Sequence, residues 1–218
     1  MAARLLLYTR TTDYRHDSIP DAVAAVRALG GFAVEHTEDP AELEKPLDGY
    51  AAVVFLSTSG EVLTPAGRER LARYMDSGGG FAGVHAAACT EYGWRYYGDL
   101  LGARFVRHPA FQPGRAVVED PGHPATRRLP AVWDFTDEWY DFDASPRGRV
   151  RVLLSADETS YEGGGMGADH PLAWCHEQGA GGGRVFYTAL GHAAEAYRDP
   201  SFLAHLDGGL RWAGRLPS

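Results

Sequence analysis

The stretch Met75-Asp76-Ser77-Gly78-Gly79-Gly80-Phe81-Ala82-Gly83-Val84-His85-Ala86-Ala87-Ala88-Cys89-Thr90 decides the fold. Its pattern predicts the end of a helix, a glycine turn, a short buried strand and then a histidine where small residues open the next helix. In an open α/β sheet, ligands bind at the carboxyl ends of the strands. Gly83 and the alanines leave room for a sharp strand-to-helix elbow. His85 is therefore the first candidate functional residue, and a hydrogen-bonded structural histidine is the alternative.

The composition is that of an ordinary globular protein. The 218 residues are 44% hydrophobic and 23% charged, which predicts one domain spanning 1–218. The formal net charge of −8 and the lack of a basic run argue against nucleic acid and an anionic membrane as partners. Two distant cysteines, Cys89 and Cys175, fit a reducing compartment. No apolar stretch approaches the roughly 20 residues that cross a bilayer, so we expect a cytoplasmic protein.

Strands and helices alternate along the first half of the chain. Apolar runs at 4–9, 32–36 and 51–56 predict strands, and amphipathic segments at 19–29 and 64–77 predict helices, the first capped by Asp17 or Ser18. This alternation predicts parallel strands joined by right-handed crossovers. In the second half we predict strands at 115–119, 150–155, 171–176 and 184–190, a glycine-rich loop at 157–169 and a last helix at 201–213.

Two histidines follow short apolar strands. His85 ends the fourth predicted strand, and His192 ends the last one, so the two imidazoles converge if these strands are neighbours. Glu138 is a carboxylate that can orient an imidazole, raise its pKa or share a metal ion with it. No compact HxH or HExxH motif is present, so a metal site would have to be assembled by the fold. We expect the neighbouring Asp137 to be a solvated surface charge.

The other histidines and the cysteines have plainer interpretations. His108, His123 and His170 each precede a proline, which holds the histidine backbone extended; a surface loop is favoured over a rigid functional pedestal. Neither Cys89 nor Cys175 has an adjacent base in sequence, so both are expected to be inert.

Several separated motifs occur in a familiar order. Beyond the 78–87 stretch, they are the segments 97–102, 108–109, 123–126, 137–140, 170–174 and 182–192. Together they resemble the ThuA-like, trehalose-utilisation family, which is similar in fold to class I glutamine amidotransferases. The resemblance covers nearly the whole chain. It implies a three-layer α/β/α, flavodoxin-like domain with a mostly parallel central sheet.

The resemblance also shows a departure at the elbow. Glutamine amidotransferases place a nucleophilic cysteine there, whereas this chain has His85; their partner pair resembles His192 and Glu195. Without a thiol at the elbow, glutamine hydrolysis through a thioester cannot proceed. We therefore expect no glutamine amidotransferase activity.

The resemblance implies a role in the metabolism of disaccharides or keto sugars, beside a sugar oxidoreductase. A keto sugar has an acidic proton next to its carbonyl, so its chemistry needs a base and a group that stabilises the enediolate. A keto-sugar isomerase, lyase or hydrolase is the expected enzyme, with a divalent metal ion as the candidate cofactor and no nucleotide cofactor. The competing hypothesis is a non-catalytic sugar-binding or assembly subunit that partners an oxidoreductase.

These expectations assign roles to seven residues. His85 and His192 are cast as base or metal ligands, and Glu138 as orienter or acid. Aromatic residues suit stacking on sugar faces. Self-association through the aromatic segments around Trp94 and Trp139 is a further expectation. The residues expected to contact substrate are His16, His108, Trp139 and Tyr140.

Overall fold

The computed structural model describes residues 2–217, which form four α-helices and eleven strands. The helices are α1 (Ile19–Ala28), α2 (Pro65–Asp76), α3 (Arg95–Leu101) and α4 (Pro200–Ala213). The strands are β1 (Ala3–Tyr8), β2 (Phe32–Thr37), β3 (Ala52–Leu56), β4 (Gly80–Val84), β5 (Phe105–Arg107), β6 (Gln112–Val118), β7 (Val132–Asp137), β8 (Asp141–Phe142), β9 (Arg151–Asp157), β10 (Pro171–Gln178) and β11 (Gly183–Thr188).

Nine of these strands form one sheet in the order β2-β1-β3-β4-β11-β10-β9-β6-β7, and β5 pairs with β8 separately. The first five are parallel to their neighbours and follow the 2-1-3-4-5 order of flavodoxin-like folds. The other four are antiparallel and extend the sheet beyond β11. The predicted α/β class, with a parallel sheet at its centre, is confirmed.

Helices cover both faces of the parallel strands. Helix α4 packs on β4 and β11, and both α1 and α4 contact the short 3-10 turn Ala196–Arg198, so they share one face. Right-handed crossovers place α2 on the face opposite to α1. On the face of α3, Tyr97 packs against Phe55 and Phe81. No helix within residues 2–217 is long and apolar enough to cross a membrane.

Two of the four α-helices begin with a side-chain cap. The side chain of Thr64 accepts a hydrogen bond from Gly67 N at the start of α2, and Asp199 accepts one from Phe202 N at the start of α4. A proline occupies the first position of both helices, where no amide hydrogen is needed. Ser18 precedes α1 in a helical conformation and makes no such bond, so the predicted cap of that helix is wrong.

The elbow after β4 is tighter than the sequence predicted. His85 has a φ of 52°, a left-handed conformation that costs a non-glycine residue energy. The segment His85–Cys89 is a 3-10 turn rather than the predicted helix, and regular helix resumes only at α3. Tyr187 donates a hydrogen bond to the His85 carbonyl (3.0 Å) and holds the turn in place.

We expect Gly83→Ala to destabilise the protein by about 1–3 kcal/mol, because the core beside the elbow has no room for a methyl group. A Cβ atom at Gly83 would lie 2.8 Å from Leu101 Cδ1 and 3.1 Å from Tyr187 Cδ2. Urea denaturation measures the change. The matched control is Gly148→Ala, where no atom lies within 4 Å of the added carbon, and an equal loss in both variants would contradict the packing argument.

Candidate functional site

Four side chains meet at the carboxyl ends of the parallel strands: His16, His85, Glu138 and His192. One ligand atom of each lies within 4.8 Å of the others. His85 follows β4 and His192 follows β11; because these strands are parallel neighbours, the two rings approach to 5.4 Å between centroids. His16 comes from the loop between β1 and α1, and Glu138 follows β7 directly. The structure thus brings together the three residues cast as catalytic and adds His16 to them.

The hydrogen bond to the Ala189 carbonyl fixes which nitrogen of the His85 ring carries the hydrogen. Its Nδ1 lies 2.6 Å from the Ala189 carbonyl oxygen, which can only accept, so Nδ1 carries the hydrogen. The lone pair of the neutral ring is therefore on Nε2, inside the cluster. There Nε2 faces the Tyr140 hydroxyl (2.8 Å), His16 Nε2 (3.1 Å) and Glu138 Oε2 (3.5 Å). His85 is completely buried and presents an electron-pair donor to the cluster.

Glu138 is the carboxylate that links the histidines. Its Oε2 lies 3.1 Å from His192 Nδ1, while its Oε1 lies 3.4 Å from His108 Nε2. Burial opposes the ionisation of Glu138, but the neighbouring histidines, His192 first, outweigh it and hold the pKa of Glu138 well below its usual value. Burial lowers the pKa of His16 to about 3. At neutral pH the cluster therefore combines an ionised carboxylate with a neutral His16.

Asp137 fastens the end of β7 to the turn after β11. Only 1% of its surface is exposed, and its carboxylate accepts hydrogen bonds from the amides of Gly191 (2.7 Å), His192 (3.1 Å) and Glu138 (2.8 Å). The expectation of a solvated surface charge was wrong, because these three amides compensate the buried charge. Asp137 thereby fixes the backbone of two cluster residues.

The side chains of the segment 138–141 alternate between two sides. Glu138 and Tyr140 contact the cluster, whereas Trp139 and Asp141 point away from it. Trp139 is completely buried; its ring stacks on Tyr161 (4.9 Å between centroids) and its indole N–H donates to the Gln112 carbonyl. Trp139 is therefore a core residue, and the roles expected for it in stacking on substrate and in self-association do not fit its position.

His170 holds the backbone of the segment 138–141 in place. Its Nε2 donates to the Tyr140 carbonyl (2.8 Å), and its Nδ1 lies 2.7 Å from Glu158 Oε1. Asp141, Glu158 and His170 also form a compact group, but the Arg107 guanidinium contacts Asp141 at 2.6 Å. A positive group at that position opposes a metal ion, so this second group is structural.

Two of the three histidines that precede proline are buried rather than in surface loops. They are His123 and His170, and His123 Nδ1 accepts a hydrogen bond from the Ala125 amide. His108 is the exposed one, as predicted. A His-Pro pair constrains the backbone in the same way in both settings, so the sequence carried no signal that separates them.

A cavity of about 440 Å³ adjoins the cluster. No lysine or arginine lines it, and aromatic rings form much of its wall. A smaller cavity of about 170 Å³ lies on the other side of His16 and Tyr14 and reaches His192. The lining residues of the larger cavity are Asp13, Tyr14, His16, Ser59, Ala86, Cys89, Tyr92, Phe105, His108, Glu138 and Tyr140.

Neither cysteine is prepared to act as a nucleophile. Cys89 lines the larger cavity, but burial raises the pKa of its thiol to about 12, and burial does the same for Cys175. Glu195, which the resemblance paired with His192, is exposed and lines a separate groove beside β6 and β7. Glu138 takes that place beside His192.

Three imidazole nitrogens and one carboxylate form a donor set suited to a divalent transition metal such as zinc, manganese or iron. Without a metal ion, the same groups form hydrogen-bonded acid–base pairs. Among the side chains of residues 2–217, this set is the one with three histidines close together beside a cavity. From the sequence, His16 was expected at the wall of the site rather than in the cluster. Its position in the loop after the first parallel strand was the signal that could have placed it in the cluster.

Comparison with known proteins gives a consistent result. The profile of the family described as "ThuA: Trehalose utilisation" matches residues 4–213. A ThuA-like protein from Bacteroides uniformis is 26% identical, with a TM-score of 0.82 over 97% of this chain and 91% of that chain. A ThuA-like protein from Parabacteroides merdae is 22% identical, with a TM-score of 0.82 over 98% and 90%.

A more distant likeness concerns the fold alone. A glutamine amidotransferase from Thermotoga maritima is 12% identical, with a TM-score of 0.54 over 98% of this chain and 99% of that chain. No curated protein sequence matches the chain.

We expect Asp137→Ala to destabilise the protein by at least about 2 kcal/mol, because each buried amide left without an acceptor costs roughly 1–3 kcal/mol. Asp137→Asn keeps a carbonyl oxygen and should show an intermediate loss. Urea denaturation monitored by fluorescence gives the values. Asp134→Ala, an exposed position on the same strand, is the control, and equal stability of the two alanine variants would refute the role of the carboxylate.

Proposed function

Because the chain belongs to the ThuA (trehalose utilisation) family, we propose that it acts on a keto sugar by metal-assisted proton transfer. The observation that carries this proposal is the cluster of His16, His85, Glu138 and His192 beside a cavity that no lysine or arginine lines. The cluster lies at the carboxyl ends of parallel strands, where sheets of this type bind their ligands.

The contact between His85 and His16 supports a cation. The lone pair of His85 is on Nε2, and His16 Nε2 lies 3.1 Å from it. His16 Nε2 either donates its hydrogen to this lone pair or carries a lone pair of its own, and in the second case a cation between the two nitrogens removes their repulsion. A divalent ion would engage both nitrogens together with His192 and Glu138. Such an ion would polarise a substrate carbonyl as a Lewis acid.

The cavity supports an uncharged, polyhydroxylated substrate. Its volume of about 440 Å³ is within the usual range for small-molecule pockets, roughly 300–1,000 Å³. The rings of Tyr92, Phe105 and Tyr140 offer apolar faces for a sugar ring, and Asp13 and Ser59 offer hydrogen bonds to hydroxyl groups. A phosphorylated sugar would need arginine or lysine at the wall.

Removal of a proton next to a ketone forms an enediolate, which must be stabilised as its charge develops. Tyr140 lines the cavity, and its hydroxyl lies 2.8 Å from His85 Nε2. With the His85 lone pair engaged by a metal ion, the hydroxyl hydrogen would be free to be donated to that oxygen. Glutamine amidotransfer is not part of the proposal. The elbow residue is a histidine, and Cys89 retains its proton.

A sugar oxidoreductase is the proposed partner, because it would form the ketone from a secondary alcohol. The two free cysteines fit a reducing compartment, and we retain the cytoplasm as the proposed location. If the protein binds sugars without turning them over, it is instead a sugar-binding or assembly subunit beside that oxidoreductase.

We expect the purified protein to retain about one divalent metal ion per chain and His85→Asn to lose it, since His85 supplies a central ligand. Asparagine tolerates the left-handed backbone at this position, so the variant should fold. Elemental analysis after dialysis measures the ion. His16→Ala should lose it as well.

The control for this experiment is His36→Gln, a histidine on β2 that bonds to Thr9 and does not line the cavity. It should retain the ion. A metal-free wild-type protein, or a His85→Asn variant that is folded and still loaded, would refute the metal site. Sugar binding without any turnover of keto sugars would favour the binding-subunit hypothesis.

A further inference from the structure

We propose that His108 is the residue that takes the proton from the substrate, paired with Oε1 of Glu138 while Oε2 of the same carboxylate stays with the histidine cluster. This inference rests on the proposed keto-sugar function and adds the group that transfers the proton. His108 was expected to be only a wall of the site.

The tautomer of His108 is set by its own chain. Its Nδ1 lies 2.7 Å from the Pro109 carbonyl oxygen, which can only accept a hydrogen bond, so Nδ1 carries the hydrogen. Nε2 is then the atom that gains or loses a proton. It lies 3.4 Å from Glu138 Oε1. His108 and Glu138 both line the cavity, so this nitrogen lies at the wall where a substrate would bind.

His108 differs from the cluster histidines in its access to the cavity. His85 is completely buried and does not line the cavity, and His192 lines the smaller cavity on the other side. His16 does line it, but His16 is one of the four residues that would hold the metal ion. The His108 side chain is 35% exposed, and its contact with the cluster is through Glu138 alone. His108 can therefore contact a substrate while all four cluster residues stay in place.

The His108 ring is held in a fixed orientation. It packs beside Tyr140 (5.9 Å between centroids) and Phe105 (5.8 Å), and the following proline keeps the His108 backbone extended. His108 and Tyr140 line the same cavity, so a ketone bound there would lie beside both side chains. Fixed geometry of this kind is what efficient proton transfer requires.

The step is balanced within the site. A C–H bond next to the ketone breaks, its proton forms an N–H bond at His108 Nε2, and the electron pair moves to the carbonyl oxygen of the enediolate. Return of the proton to the same carbon regenerates the substrate with exchange of its hydrogen. When the hydroxyl proton of the enediolate moves to the former ketone oxygen and His108 delivers its proton to that oxygen's carbon, the product is the isomeric ketone. Neither outcome consumes another reactant.

The test is deuterium exchange of a methyl 3-ketoglucoside in D2O, followed by proton NMR. We expect His108→Gln to slow the enzyme-dependent exchange by about 10²- to 10⁴-fold, the usual contribution of a general base. Its metal content should equal that of the wild type, because His108 is not in the cluster. His36→Gln should exchange at the wild-type rate. Added imidazole should partly restore exchange in His108→Ala, which a structural role would not allow.

The outcomes separate the two proposals. Exchange by His108→Gln within a few-fold of the wild-type rate would overturn the role of His108 and leave the proposed function standing. Loss of the metal ion from His108→Gln, or no recovery with imidazole in a folded His108→Ala, would also overturn it. A metal-loaded wild-type protein that exchanges no keto sugar would overturn both.

Discussion

The carboxylate of Asp137 holds the two halves of the sheet together at the site. Strand β7, at whose end Asp137 lies, is separated from β11 by three strands, which in a flat sheet would put them roughly 19 Å apart at about 4.8 Å per strand. Yet Asp137 bonds to the amides of Gly191 and His192, just after β11. The antiparallel half must therefore curl back on the parallel half, and Phe135 of β7 accordingly packs on Phe202 of α4. Glu138 reaches the histidines because of this curl.

The sequence predicted His85, His192 and Glu138 as site residues, but it misjudged the surroundings of Asp137 and Trp139. His85 and His192 were found because they end apolar strands, and the parallel pairing of β4 and β11 brings such ends together. The motifs of the ThuA-like family gave the overall fold. Local pattern could not show that Asp137 is buried, because two of its three compensating amides, those of Gly191 and His192, are more than fifty residues away along the chain. Trp139 was wrongly placed at the substrate for a related reason. The alternation of side chains along 138–141 shows that adjacent residues face opposite sides, but it does not show which side holds the site.

The left-handed backbone at His85 connects this chain to the amidotransferase fold while changing what the elbow can do. A residue forced to positive φ at a strand end presents its side chain above the sheet, where a nucleophile would be useful. Here the side chain is an imidazole whose Nδ1 is bound to the Ala189 carbonyl. The elbow buries this side chain among the cluster residues, and the group it offers there is a lone pair suited to a cation or a proton rather than to a covalent intermediate.

The two oxygens of Glu138 explain why one carboxylate can serve a crowded group of histidines. Oε2 lies among His85 and His192, where burial makes an unpaired charge costly, and Oε1 lies toward His108 at the cavity wall. A charge shared in this way cannot be removed without affecting both sides. His108 contacts only one of the two oxygens, so the chemistry at the cavity wall can be separated from the integrity of the cluster. Because of this asymmetry, a substitution of His108 can remove proton transfer without removing a metal ligand.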